Sequence, residues 1–155
     1  MPHWRTPIDN CGPRRWSVLA IGGVLVATTI LFAQEHPAAP HGHPDAQKLK
    51  NPIAPTGASI AAGAQAYAKF CANCHGTSGR GNGRLAAGVA MYGNRPSDLT
   101  DDTWQHGSTD GEIFVVIRDG IGPEFQMDAF KNKLSEEEIW NVVNYVKSLT
   151  IKKVE

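Results

Sequence analysis

Two cysteines and a histidine stand together in the segment Cys71-Ala72-Asn73-Cys74-His75. In a helical segment the two thiols and the imidazole lie at positions i, i+3 and i+4, so they share one face. Two thiols at this spacing can bond the two vinyl groups of a porphyrin while the imidazole binds its iron. The spacing favours covalent attachment of one haem c.

Two other kinds of site use a similar pair of thiols. A dithiol redox motif belongs in a βαβ context, which this chain lacks because no segment alternates with period two. A structural zinc site needs a second ligand pair, but His106 stands alone downstream and no further cysteine follows the motif. The third cysteine, Cys11, lies near the N-terminus and is predicted to be unpaired. Haem remains the favoured interpretation.

The second axial ligand of the iron decides between a carrier and a catalyst. Met91, Met127 and His106 are the candidates. Met91 follows His75 closely, in a loop that must still pass round the porphyrin. Met127 lies in the Pro/Gly-containing loop 120–130, which can return across the opposite haem face, and we predict it as the ligand. With both positions filled by protein, the iron offers no site for dioxygen or peroxide, which predicts an electron carrier.

The elements that must position these residues are helical. Apolar residues at helical spacing predict a helix over Ser59–Phe70, which leads directly into the cysteine pair. Capping boxes at Thr109–Glu112 and Ser135–Glu138 predict a helix near 110–119 and another that runs to about Leu149. The three first-turn acids of the last helix match its dipole. We expect an all-α domain of three to five helices around the haem.

Residues 76–100 are rich in glycine and predict a long loop with one short helical turn near Leu85–Met91. A loop of this length in a small domain is usually functional. Because the domain has few apolar residues of its own, a buried porphyrin would supply part of its core.

The first 33 residues resemble an export segment. Residues 1–16 carry Arg14 and Arg15 and are predicted to stay in the cytoplasm. Residues 17–33 are uncharged and would span about 26 Å as a helix, the short limit for a membrane span. We favour a retained signal anchor over a cleaved signal peptide, with the remainder of the chain on the periplasmic side.

Residues 34–57 contain five prolines and are predicted to be an extended linker, followed by a cytochrome domain over residues 58–152. Four potential metal ligands occur in this linker, but a solvated segment without a scaffold is favoured over a metal site; they are His36, His41, His43 and Asp45.

The charge of the chain excludes one class of partner. The 15 basic and 15 acidic residues balance, and no basic stripe with interleaved aromatic residues occurs. This pattern argues against nucleic-acid binding.

Together these features resemble the class I mono-haem c-type cytochromes, in their short bacterial form, over about residues 58–150. Gly63 and Tyr67 look like the small and aromatic residues of the family's N-terminal helix, and Tyr145 looks like the aromatic that meets them. The segment Arg95–Leu99, with Pro96, looks like the family's proline-containing segment. The resemblance implies that a backbone carbonyl of this segment accepts the imidazole N–H of the haem-binding histidine.

The resemblance also suggests smaller contributions to the haem site. Trp104 is expected to line the haem or to donate to a propionate, with core packing as the alternative. Arg95, with Arg80 and Arg84, could pair with propionates, although solvated surface is favoured for each. The family's methionine loop often has proline after the methionine, where this chain has Asp128.

The predicted function is one-electron transfer, by a membrane-tethered shuttle or by the cytochrome subunit of a respiratory or dehydrogenase complex. Its partners would be redox proteins such as an oxidase or a dehydrogenase, and residues 17–33 would contact the membrane. The alternative is a haem enzyme or gas sensor in which Met127 is displaced from the iron.

Overall fold

The structure is a computed structural model that describes residues 42–91, 95–122 and 127–150. Within these ranges the chain is helical and has no β-strand, apart from one isolated bridge between Ile121 and Met127. The elements in chain order are a 3-10 helix Ala46–Lys48, α1 Gly57–Phe70, α2 Ala72–His75, α3 Ala86–Ala90, α4 Asp110–Asp119 and α5 Glu136–Leu149. The prediction of an all-α domain is confirmed for the described residues.

Both predicted capping boxes form. Glu112 N donates to Thr109 Oγ1 at 3.3 Å, while the Glu112 carboxylate accepts from Thr109 N at 3.1 Å. Ser135 and Glu138 make the same pair of bonds at the start of α5. These reciprocal bonds satisfy donors that a helix leaves unpaired at its first turn. The predicted starts of α4 and α5 are therefore confirmed.

Helices α1 and α5 cross at Gly63, as the resemblance implied. A Cβ atom on Gly63 would lie 2.0 Å from the carbonyl oxygen of Asn141, so only glycine permits this approach. One turn later the rings of Tyr67 and Tyr145 meet with centroids 5.1 Å apart. The buried Tyr67 hydroxyl donates to Gly76 O at 2.8 Å, which ties the crossing to the end of α2.

Helix α4 closes the core against α5. The rings of Phe114 and Trp140 stack with centroids 3.9 Å apart. Around this stack the buried apolar residues form one cluster, which includes Tyr67, Cys71, Ile113, Ile117, Phe130, Leu134, Ile139, Val142, Val143 and Val146. Helix α3 lies in the glycine-rich loop, where a helical turn was predicted near Leu85–Met91. This prediction is also confirmed.

Residues 42–53, which were predicted to belong to an extended linker, make contacts to the domain. We call residues 42–53 the N-terminal strap. His43 N and Gln47 Nε2 donate to the buried Glu112 carboxylate at 2.8 and 2.9 Å. Further along, Asn51 Nδ2 donates to Asn144 Oδ1 at 2.8 Å, and Ile53 packs against the core cluster. Local proline content predicted extension, but these contacts to α4 and α5 hold the segment in place.

The predictions for residues 1–41, including the export segment, fall outside the described residues. Among the residues that the structure describes, no helix has the length and apolar character needed to cross a membrane. The same part of the chain contains no group of three or more His, Cys, Asp or Glu residues able to hold a metal ion.

Candidate haem site

The cysteine-histidine segment is a tight helical turn at the end of α1. Cys71 N donates to Tyr67 O at 2.8 Å as α1 ends, and His75 N donates to Cys71 O at 3.0 Å within the next turn. Cys71, Cys74 and His75 all line one cavity of about 760 Å³, which we call the outer cavity. The helical geometry expected for the segment is present, and its three chemically active side chains reach the same space.

His75 is oriented by a backbone carbonyl. Its Nδ1 lies 3.1 Å from Ser97 O, the distance of a donated hydrogen bond. With the proton on Nδ1, the Nε2 lone pair is available to a metal. Burial lowers the pKa of His75, with the bond to Ser97 opposing it, and this shift favours the neutral imidazole that a metal ligand requires. The carbonyl comes from the segment Arg95–Leu99, as the resemblance implied.

The glycine-rich loop clamps this turn by backbone contacts. Gly81 N donates to His75 O at 2.8 Å, and Gly83 N donates to Cys74 O at 3.0 Å. A Cβ atom on Gly83 would lie 2.3 Å from Asn73 O, so a side chain there would push the loop away from α2. Gly81 has a φ of +66°, in the left-handed region that glycine adopts readily. The glycines therefore allow the loop to lie directly on the haem-binding turn.

The thiols do not have the properties of a redox dithiol. Burial, and then the nearby Cys74, raise the pKa of the Cys71 thiol to about 12. Burial, and then the charge of Asp128, also raise the pKa of Cys74. Catalytic dithiols have lowered pKa values, because the thiolate is the nucleophile. The shifts run in the opposite direction from that chemistry.

Met127 lines the same cavity and is fixed by its backbone. Its N donates to Ile121 O at 3.4 Å, and its O accepts from Ile121 N at 3.0 Å. Three residues later, Phe130 N donates to Ile117 O at 3.0 Å, which pins the chain to the end of α4. Met91 is 84% exposed at the end of α3 and does not line the cavity. Met127 therefore lines the cavity together with His75, whereas Met91 does not.

A second, inner cavity adjoins the outer one and extends into the core. The two share a wall that includes Cys71, His75, Ser97, Gln105 and Met127. The remaining lining of the inner cavity is largely apolar and comes from α4 and α5 as well as α1. A volume of about 760 Å³ lies within the range of cofactor pockets, about 300–1,000 Å³. Two thiols, an imidazole and a thioether around such a space fit a haem c.

The lesser predicted contributors fall in different places. Trp104 is partly buried, lines the inner cavity and packs against the core cluster. Pro96 and the exposed Arg95 line the outer cavity. Arg84 donates from Nε to Asn73 Oδ1 at 2.9 Å, so it is bonded to α2. Arg80, which is exposed, lines neither cavity in the described part of the chain.

Gln105 and His106 complete the shared wall. His106 was weighed from the sequence as an axial ligand and lines both cavities; its ring centroid lies 6.3 Å from that of His43 in the strap. Gln105 was not identified from the sequence, because a single glutamine in a loop has no spacing that marks it as a site residue.

Comparison with known proteins identifies related chains. The family model described as cytochrome C oxidase, cbb3-type, subunit III matches residues 58–146. The chain is 38% identical over 96 residues to the cbb3-type cytochrome c oxidase subunit FixP of Azorhizobium caulinodans, covering 58% of this chain and 29% of that protein. It is 33% identical over 97 residues to the subunit CcoP of Rhodobacter capsulatus, covering 59% and 30%. The chain thus spans less than a third of the length of these curated relatives.

A solved structure has a similar fold. A chain of the reducing HAO-like protein complex of Kuenenia stuttgartiensis superposes with a TM-score of 0.59 and 29% identity. The match covers 66% of this chain and 50% of that chain.

Proposed function

Because the chain belongs to the cbb3-type cytochrome c oxidase subunit III family, we propose that it is a one-electron carrier with a single haem c. Cys71 and Cys74 would hold the haem covalently, and His75 and Met127 would bind its iron. The observation that carries this proposal is that all four side chains line one cavity, with the imidazole already oriented by Ser97.

The protein side of the redox chemistry follows from these four residues. The haem supplies a reversible ferric/ferrous couple when it is bound. Ser97 holds the His75 imidazole in the tautomer that leaves Nε2 for a metal. The Met127 thioether is neutral and favours ferrous iron, which raises the potential above that of a bis-imidazole site.

We propose a carrier rather than an enzyme because the chain can fill both axial positions itself. Met127 is held by two backbone hydrogen bonds to Ile121 and by the following bond from Phe130 to Ile117. These bonds hold the backbone at Met127 in place, so its thioether would remain available to the iron. Two ligands supplied by the protein would let the oxidation state change with little movement, which favours outer-sphere electron transfer.

The partners are proposed to be subunits of a respiratory complex, with an oxidase as the leading candidate. The relatives FixP and CcoP are by name subunits of cbb3-type oxidases. Residues 17–33 are proposed to anchor the domain on the periplasmic side of the membrane, supported by their uncharged sequence after Arg14 and Arg15. Fractionation tests this location: haem stain in the membrane pellet supports the anchor, and a shorter soluble periplasmic band contradicts it.

Covalent attachment is tested on a denaturing gel stained for haem. The chain should keep its stain after denaturation, and the double variant Cys71→Ala/Cys74→Ala should lose it. Cys11→Ala is the matched control, because it removes a cysteine outside the motif, and it should stain as the unaltered chain does. Stain that survives in the double variant, or a parent chain that does not stain, would contradict the proposal.

The Met127 ligand is tested by the far-red sulfur-to-iron absorption band of the ferric protein. Met127→Ala should lose the band and keep the haem. Met91→Ala is the control, because Met91 is exposed and lies away from the cavity. Loss of the band in Met91→Ala, or its retention in Met127→Ala, would overturn the ligand assignment.

A further inference from the structure

One polar atom on the wall of the cavities makes no hydrogen bond to any residue that the structure describes. It is Gln105 Oε1, which is buried. A buried amide atom without a partner costs about 1–3 kcal/mol, so such atoms normally meet a ligand or another polar group.

The position of Gln105 indicates what that group is. It belongs to the wall shared by the inner and outer cavities, together with His75, Ser97 and Met127. A haem has a largely apolar surface, and its two carboxylates are the groups at its edge that accept strong hydrogen bonds. An amide that lies on the wall of the haem cavity can therefore complete its bonding with one of these carboxylates.

The charges around the cavities favour a neutral donor at this point. The cations that line the described cavity walls, Lys69, Arg95 and Lys133, belong to the outer cavity, and no described lysine or arginine lines the inner one. A carboxylate that lies against the inner wall would meet no lysine or arginine of that wall and would depend on other N–H donors. The amide oxygen and nitrogen exchange positions when the group turns by 180°, so Gln105 can present Nε2 to an acceptor.

We propose that Gln105 is a positioning residue that donates a hydrogen bond from its side-chain amide to a haem carboxylate. This inference rests on the proposed haem site. The bond offsets part of the negative charge of the carboxylate. Without it, that charge favours ferric iron more strongly, so the midpoint potential falls.

The test compares Gln105→Leu with the unaltered holoprotein. Replacement by leucine removes the donor at nearly the same volume. It should lower the midpoint potential and shift the carboxylate bands of the redox-induced infrared difference spectrum, while the far-red band stays in place. Gln65→Leu is the matched control, because it makes the same change at an exposed position of α1, outside both cavities; neither readout should change there.

Two results in Gln105→Leu would overturn the inference. Unchanged potential and carboxylate bands in Gln105→Leu would show that the amide does not bond the carboxylate. Loss of the far-red band with unchanged carboxylate bands would show that Gln105 acts on the axial ligand instead.

If Gln105→Leu does not accumulate, Gln105→Glu provides the second variant. Its midpoint potential should lie below that of the parent at neutral pH. The potential should return towards the parent value in acid, because the new side chain is then protonated and can donate. A potential that does not return would also count against the bond. The haem stain reports covalent attachment and the far-red band reports the Met127 ligand, so these two readouts test the proposed function separately in each variant.

Discussion

Replacing Glu112 with glutamine should detach the N-terminal strap from α4. The Glu112 side chain is 2% exposed, and its carboxylate accepts four hydrogen bonds. Two come from the strap, from His43 N and Gln47 Nε2, and two come from Thr109 N and Oγ1 at the start of α4. One carboxylate therefore joins the strap to the capping box of a core helix.

The size of the effect follows from these four bonds. Glutamine keeps one acceptor oxygen and replaces the other with an NH₂ group that faces donors. Two of the four bonds are lost, and hydrogen bonds to charged groups contribute about 1.5–3 kcal/mol each. We expect Glu112→Gln to lower the free energy of unfolding by about 3 kcal/mol. For a domain of this size, that corresponds to a fall in Tm of roughly 12–24 °C.

The dependence on pH has a definite sign. Burial opposes ionisation, but hydrogen bonds from Gln47, His43 and Thr109 outweigh it and lower the pKa of Glu112 from 4.5 to about 2. A carboxyl whose pKa is lower in the folded state stabilises the fold fully above its unfolded pKa. That stabilisation is lost as the pH falls from about 4.5 towards 2. The difference in stability between the parent and Glu112→Gln should therefore shrink over this range.

Urea denaturation of the holoprotein, followed by circular dichroism at several pH values, measures both effects. Glu138→Gln is the matched control, because Glu138 forms the capping box of α5 but is exposed and has no contact with the strap. Its loss of stability should be much smaller. Equal losses in the two variants would show that the strap bonds contribute nothing to stability.

Three further substitutions test the packing that positions the site. Gly63→Ala should destabilise the protein by about 2 kcal/mol or more in thermal unfolding, because its Cβ would lie 2.0 Å from Asn141 O; an unchanged Tm would disprove the close crossing. Tyr67→Phe should cost about 1 kcal/mol in urea denaturation through loss of the bond to Gly76 O, and no loss would mean that the bond is not stabilising. Gly83→Ala should reduce the yield of haem-stained protein, because the loop could no longer lie on α2, whereas full staining would show that the loop adapts.

The elements that the sequence predicted well carry local information. The capping boxes at Thr109 and Ser135 lie within four residues of the bonds that they form, so the starts of α4 and α5 could be read directly. The cysteine-histidine spacing likewise needs only one helical turn to bring its side chains to one face. For this reason the helical setting of Cys71 and His75 agrees with expectation.

The strap and Gln105 could not be predicted in this way. Prolines in the segment before α1 predicted extension, and no local pattern shows that Gln47 meets a carboxylate 65 residues away. Glu112 was recognised only as part of a capping box, although its other oxygen holds the strap. Such contacts depend on how distant elements pack, which periodicity and spacing do not encode.

Binding of carbon monoxide to the ferrous protein shows whether Met127 and His75 together close the iron to external ligands. We expect that the reduced parent protein does not bind carbon monoxide, and that Met127→Ala does. Ready binding by the parent would instead show an open or displaceable position on the iron, as in a haem enzyme or gas sensor, and would rule out the proposed pair of ligands.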